Sequence, residues 1–230
     1  MNIEILQLIE GARLAKGLAV IIDVFRAFTV ECYIARNGAE RIYAVGDKEI
    51  AYSYKREHPD CLLIGEREGV KLPGFDFGNS PSDVEKFDFC GKTAVHTTSA
   101  GTQGVDNAIN ADEIITGSLC NARAVAEYIR RGNYRQVSLV CMGLGGKKPT
   151  QEDTLCAEYI KSLLEGTDID LQNRMYELRY TSGAKFFDKE KQHIFPEADF
   201  HLCCSPDLFS FVLRAEKVGN MYRMVRINVE

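Results

Sequence analysis

The sequence predicts an α/β fold, a mostly parallel sheet flanked by helices on both faces, with a C-terminal α+β elaboration. Three observations predict it. Short apolar runs rich in β-branched residues alternate with amphipathic stretches of helical length from about residue 18 to 165. Gly38 and Gly132 stand where helices should stop, and Asp47 and Asn121 where they should start. No Pro- or Ser-rich linker and no internal repeat divides the 230 residues, so residues 1–230 read as one domain.

In order, the runs at 18–22, 41–45, 61–64, 93–95, 113–116 and 136–141 are short, apolar and unalternating, the pattern of strands covered on both faces. Helices are expected between them near 27–37, 48–57, 101–109 and 121–131, and another over 151–164. This alternation implies right-handed crossovers. Beyond residue 165 the pattern weakens into a mixed region and a last strand, 223–229, whose polar residues alternate as on a sheet edge.

Composition narrows the function. With 45% hydrophobic and 27% charged residues the chain is an ordinary globular protein. A net charge of -5 argues against unguided binding to nucleic acid or an anionic membrane, and no apolar run approaches the ~18 residues of a membrane span. The N-terminal MNIEILQLIEG has acids and no basic flank, so a cytoplasmic protein is expected. Eight cysteines without a C-x-x-C pair read as reduced, buried thiols.

In open α/β sheets ligands sit at the carboxyl ends of strands, where the following helices point their N-termini. Three segments pass that filter, and the acids that open a later helix make a fourth candidate. Asp23, directly after the first run, can bind a cation, attack as a nucleophile or cap a helix, and Arg26 can fork onto a phosphate or lie in solvent. Residues 65–81 form a long glycine-dense loop in which Glu66 and Arg67 follow a strand and Asn79 and Ser80 can donate hydrogen bonds. Ser82-x-x-Glu85 can equally be a capping box there. Thr97, Thr98, Ser99, Gly101 and Thr102 open a helix with hydroxyls and backbone N–H groups, an anion cradle or a capped turn. Glu152 and Asp153 can hold a hard cation such as Mg²⁺ or complement a helix's first turn. Familiar phosphatase and P-loop signatures fail at Cys61-x5-Arg67, Gly91-Lys-Thr93 and Asp168-Ile-Asp170.

Taken together, Val20-Ile-Ile-Asp-Val-Phe-Arg-Ala27, Gly65-Glu-Arg67, Gly74-Phe-Asp-Phe-Gly-Asn-Ser-Pro81, Thr97-Thr-Ser-Ala-Gly-Thr102 and Glu152-Asp153 resemble the 2-phosphosulfolactate phosphatase family from about residue 19 to 165, and more loosely through Asp199 to the last strand. The resemblance implies an α/β, Mg²⁺-dependent phosphatase that converts 2-phosphosulfolactate to sulfolactate and phosphate, a step toward coenzyme M. The family commonly shows Thr-Thr-Asn-Gly-Thr where this chain has Thr98-Ser-Ala-Gly-Thr102.

On that reading Asp23, Glu152 and Asp153 hold Mg²⁺, some through water. Arg26 and residues 97–102 take the phosphoryl group, and Arg67, Asn79 and Ser80 take the carboxylate and sulfonate. Either Asp23 attacks phosphorus, or a metal-bound water attacks with Glu66 as base. Two rivals use the same loops, a non-catalytic phospho-acid sensor and a sugar-phosphate isomerase. The expected partner is a small anionic phosphorylated substrate, and the alternating last strand permits a homodimer.

Overall fold

The computed structural model describes residues 1–229. In chain order the elements are β1 (Asn2–Gln7), α1 (Leu8–Leu14), β2 (Leu18–Ile22), α2 (Ala27–Arg36), β3 (Arg41–Ala44), α3 (Lys48–Glu57), β4 (Leu62–Arg67), β5 (Val70–Lys71) and α4 (Pro81–Val84). They continue with β6 (Thr93–Thr97), α5 (Gly101–Asn107), β7 (Glu113–Gly117), α6 (Ala122–Arg131), β8 (Gln136–Cys141), α7 (Gln151–Glu165), α8 (Leu171–Glu177), α9 (Glu197–Cys203), β9 (Phe211–Val218) and β10 (Met221–Asn228). The strands form one sheet in the order β1-β8-β2-β7-β9-β10-β3-β6-β4-β5.

Every residue of β2 is buried because both faces of the strand are covered. Ala19 and Ile21 pack with Ala12, Phe28 and Val105 of α1, α2 and α5. Leu18, Val20 and Ile22 pack on the other side with Val125, Ile129 and Ile160 of α6 and α7. The same division holds across β3, β6 and β4, where Ile42 and Ala94 face α2 and Leu63 and Val95 face Ala51 of α3. Helix α2 buries nine of its ten residues. A helix buried on nearly every side belongs inside a protein, and α2 does so while carrying the polar Thr29 and Glu31.

The sheet consists of two parallel groups, β1-β8-β2-β7 and β3-β6-β4, joined by the antiparallel hairpin β9–β10. Both joints are short: Ile115↔Arg214 and Thr116↔Leu213 on one side, Tyr222↔Ala44 and Arg223↔Tyr43 on the other. Traced through these antiparallel steps, the two groups run in opposite senses, yet their carboxyl ends meet at one cavity. That requires a strong twist in the connecting ribbon, which two-stranded ribbons adopt readily.

The structure corrects several expectations. The last strand lies inside the sheet, not at its edge. Its polar residues alternate because one face packs on the core and the other does not: Tyr222 and Met224 are buried and Arg223 between them is exposed. Glu66 and Arg67 lie within β4, which runs three residues past Ile64 and turns into β5, so the glycine-dense segment is partly a hairpin. Helix α4 is capped at Ser80, with Pro81 in its first turn, and not at Ser82. β1, α1 and β9 gave no period strong enough to read. All eight cysteines are free and six are buried. Among the described residues, no helix is long and apolar enough to cross a membrane.

Phe28, fully buried in α2, tests this arrangement. Phe28→Ala should lower the unfolding free energy by about 3–5 kcal/mol in urea melts. A loss below about 1 kcal/mol would show that α2 is not enclosed as described.

Candidate active site

Asp23 ends the apolar run of β2. Its N–H donates to Gly117 O (3.3 Å), and its Oδ1 accepts the Ala27 N–H (3.2 Å), so the carboxylate caps the first turn of α2. Oδ2 turns toward Gly101, where a Cβ would lie 3.0 Å from it and 2.7 Å from Ala27 Cβ. Glycine is required at 101 for that close approach of α5 to the β2–α2 turn. The carboxylate looks into a cavity of about 410 Å³. Arg26 and Asn79 line it, with Glu66 from β4, Ser99 and Ala100 after β6, Gly143 to Gly145 after β8, and Lys185 and Phe195 from the C-terminal region.

Asp153, in the first turn of α7, is buried beneath this floor. Its Oδ1 accepts the Val24 N–H (2.8 Å) and its Oδ2 the Gly143 N–H (2.7 Å), fastening the loops that follow β2 and β8 to each other. Its neighbour Glu152 is also buried, and Glu152 Oε2 has no hydrogen-bond partner. Burial raises the Asp23 pKa to about 6, helped by the charges of Glu66 and Glu152 and opposed by the Ala27 amide and Lys185. Burial, then Glu152 and Asp23, push Asp153 well above the carboxylate range. Among the described residues, no three His, Cys, Asp or Glu side chains form a ready metal cage. The three expected metal ligands are thus close enough to feel one another's charge, but Asp153 already holds an amide on each oxygen.

The positive side of the cavity comes from Arg26 and Lys185. Arg26 Nη1 donates to Asp199 Oδ2 (2.7 Å) and Ile194 O (2.9 Å), and the guanidinium lies 5.0 Å from the centre of the Phe195 ring. Asp199 is fully buried, and its Oδ1 accepts the Ser80 hydroxyl (2.9 Å) and the Ser82 N–H (3.0 Å). Ser80 is therefore engaged in holding Asp199 and does not line the cavity. Lys185 was missed by the sequence reading. It sits in an aperiodic stretch, and only the packing of Phe186, Phe200 and Leu155 brings it over the site. Burial lowers its pKa, Arg26 adds to the effect, and Glu152 and Asp23 counter it.

The remaining expected residues divide between the cavity and its scaffold. Glu66 lines the cavity, but its carboxylate is occupied: Oε1 accepts the Ser99 N–H (2.7 Å), and Oε2 accepts the Gly69 N–H (2.6 Å) and the Ser99 hydroxyl (3.1 Å). Arg67 is turned away, with Nη1 donating to Glu66 O (2.7 Å) and Nη2 to Thr97 Oγ1 (3.0 Å) and Gly46 O (3.1 Å). Thr98 and Thr102 satisfy each other: the Thr98 N–H donates to Thr102 Oγ1 (2.8 Å), and the Thr102 N–H to Thr98 Oγ1 (3.2 Å). Of the hydroxyl-rich turn, only Ser99 and Ala100 reach the cavity wall.

A family model described as 2-phosphosulpholactate phosphatase matches residues 3–217. The chain belongs to this family. Similar curated proteins include the probable 2-phosphosulfolactate phosphatase of Bacillus subtilis (strain 168), 31% identical over 212 residues that span 90% of this chain and 91% of that protein. The protein of the same name from Thermotoga petrophila is 34% identical over 84% of this chain and 87% of its own length. That of Carboxydothermus hydrogenoformans is 37% identical over 76% and 73%. As a member of the 2-phosphosulfolactate phosphatase family the protein is a phosphoric monoester hydrolase. The matched span contains the whole cavity lining, Lys185 and Phe195 included.

The raised pKa of Asp23 makes a stability prediction. A folded value of about 6 against an ordinary value of 3.8 means that the fold favours the protonated form. The associated stability is fully present below pH 3.8 and lost as pH rises through about 6. Asp23→Asn removes the ionisation, so in metal-free buffer it should be more stable than wild type at pH 8, by up to about 3 kcal/mol, with the difference vanishing near pH 4. Thermal melts at the two pH values check this, and a destabilised variant at pH 8 contradicts it.

Proposed function

We propose that the protein hydrolyses 2-phosphosulfolactate to sulfolactate and phosphate with Mg²⁺, and that Asp23 is the nucleophile. The observation that carries this reading is the Asp23 carboxylate. It is buried at the cavity floor, oriented by the Ala27 amide through one oxygen, and has its other oxygen turned toward Gly101 beside a cavity also lined by Arg26 and Lys185. Positioning of this kind is most of what phosphoryl transfer asks of a protein. The alternative base, Glu66, already accepts three hydrogen bonds, so it serves better to hold the Ser99 turn than to take a proton from water.

A phosphorylated dianion would enter a cavity already bordered by Asp23, Glu66 and Glu68, with Glu152 buried close enough to act on Asp23, so positive charge beyond Arg26 and Lys185 is needed. The donor set fits a hard divalent cation. The orphaned Glu152 Oε2 and the Asp23 carboxylate supply the one or two carboxylates that Mg²⁺ commonly takes, with water completing its shell. We assign these two residues to the ion and give Asp153 the task of fastening the two loops beneath it. When bound, Mg²⁺ would neutralise charge on the transferred phosphoryl group. Asp23 Oδ2 attacks phosphorus in line, the bond from phosphorus to the C2 oxygen breaks, and the departing oxygen takes a proton from Lys185, whose acidity burial has increased. Water then attacks phosphorus of the resulting acyl phosphate, gives a proton to the now neutral Lys185, and breaks the bond from phosphorus to Asp23 Oδ2, which frees phosphate and restores both side chains. The Arg26 nitrogens other than Nη1 have no protein hydrogen bond among the described residues, which leaves them for the substrate's anionic oxygens. In this reading Arg67 and Ser80 leave the substrate-binding set and Lys185 joins it.

Eight free thiols suit a reducing cytoplasm. Substrate and product chemistry agree with the route to coenzyme M that the resemblance implies.

Phosphate release from 2-phosphosulfolactate should require Mg²⁺ and stop with EDTA, while other phospho-2-hydroxyacids in the same assay define the breadth of the site. Asp23→Asn should lower kcat by more than about 10³-fold. Substrate chiral at phosphorus should give phosphate of retained configuration, the result of two displacements. Inversion would mean direct attack by water and remove Asp23 as nucleophile. Lys185→Ala should lower kcat by about 10²- to 10⁴-fold if it donates the proton. A rise in KM alone would confine Lys185 to binding.

A further inference from the structure

Behind the cavity wall lies a line of polar groups that this reaction does not use. Glu31 of α2 and His96 of β6 are both fully buried, with Glu31 Oε1 2.9 Å from His96 Nδ1. His96 Nε2 lies 3.3 Å from Asn79 Oδ1. Asn79 is nearly buried and lines the cavity, while its Nδ2 has no protein partner among the described residues. Among the described residues Glu31 Oε2 is buried without a partner, so His96 is the group there that this carboxyl group meets.

The chemistry of the three groups decides which way the Asn79 amide faces. An asparagine has a donor end and an acceptor end, and His96 can complement only one of them at a time. With the Glu31 carboxyl group on Nδ1, the other ring nitrogen faces Asn79 Oδ1, and a hydrogen on Nε2 is donated to it. That contact holds the carbonyl end of Asn79 inward and leaves its NH₂ end toward the cavity.

We propose that Glu31 and His96 are positioning residues that fix the Asn79 amide with its N–H groups facing the cavity, as donors to an anionic oxygen of the bound phosphoryl group. The inference rests on the reading above that the cavity takes a phosphorylated acid. It also accounts for the packing of residues 78–81. Asn79 is fixed from one side by Glu31–His96, and Ser80 from the other by Arg26–Asp199, so both side chains are set before substrate arrives. A pair that served only to join α2 to β6 would leave the orientation of Asn79, and so anion affinity, unaffected.

Calorimetric binding of inorganic phosphate in the presence of Mg²⁺, together with kcat and KM, separates the two cases. Variants are compared after circular dichroism and melting confirm folding. Asn79→Ala should weaken phosphate binding and lower kcat/KM by about 10- to 100-fold. Asn79→Asp, which presents an acceptor in place of the donor, should be worse. The paired replacement Glu31→Leu with His96→Leu leaves no unpaired buried charge and should lose affinity in the same direction. Adding Asn79→Ala to that pair should cost nothing more, because all three changes remove one interaction. The paired replacement Glu31→Gln with His96→Gln, which keeps a donor near the Nε2 position without stranding a buried carboxyl group, should retain near-wild-type affinity and serves if the leucine pair does not fold. Wild-type phosphate affinity in Asn79→Ala or in the leucine pair, additive losses in the triple variant, or a loss in the glutamine pair as large as that of Asn79→Ala would each overturn the inference. A wild-type protein that binds phosphate but does not hydrolyse the ester would leave it standing and remove the catalytic reading instead.

Discussion

The ion pair of Arg26 with Asp199 is the interaction on which the cavity depends. It joins three segments far apart in sequence: the turn after β2, the Gly78–Pro81 stretch held through Ser80 and Ser82, and the C-terminal region that carries Lys185 and Phe195. Both partners are almost wholly buried, so neither charge can fall back on water. A buried pair is weak evidence for stability, since desolvation offsets much of the attraction. It is strong evidence for placement, because removing one partner strands the other. Asp199 answers its remaining lone pairs with a hydroxyl and a backbone N–H, and Arg26 keeps its other nitrogens for the cavity.

The carboxylates follow a different logic. Asp23, Glu152 and Asp153 are crowded and buried, and the fold raises the pKa of Asp23 and Asp153. Of the three, only Asp153 has an amide on each oxygen, and it is the one with a plain architectural task. The others are under-satisfied, which a protein selected only for stability would avoid. Local destabilisation of this kind is usual where a charged group must react or bind an ion.

How much of this could be read from the chain depends on the range of the forces involved. The parallel strands were legible because burial on both faces leaves no polar residue in a run such as 18–22. Asp23, Arg26, Glu66, Asn79 and Ser99 were legible because each lies at or near the carboxyl end of a strand or in a loop too glycine-rich to be mere connection. Arg67 and Thr97 were read as substrate contacts because spacing does not reveal where a side chain points. In β4 the pleat sends Glu66 to the cavity, and Arg67 bonds instead to Gly46 and Thr97. Lys185 could not be read at all: the stretch around it has no period, and its position comes from the aromatic packing of Phe186 with Phe25, Phe195 and Phe200. The place of β10 was missed for a related reason, since an interior strand with one face open carries the same alternation as an edge strand.

Charge also separates the rival readings. A sensor for phosphorylated acids gains affinity from each donor and loses it with each acid facing the ligand, so a buried Asp23 at the cavity floor and an orphaned Glu152 behind it would only weaken binding. An isomerase acting on sugar phosphates needs a base poised beside a carbon acid, and Glu66, the buried acid of the cavity wall beside Asp23, spends its lone pairs on Ser99 and Gly69. For a phosphatase the same features are assets. On the proposed reading a desolvated carboxylate would be a stronger nucleophile than a hydrated one, and a divalent ion would offset part of the negative charge that the carboxylates and the substrate bring together. The cavity is poorly made for holding an anion by itself and well made for attacking one that arrives with a counter-charge.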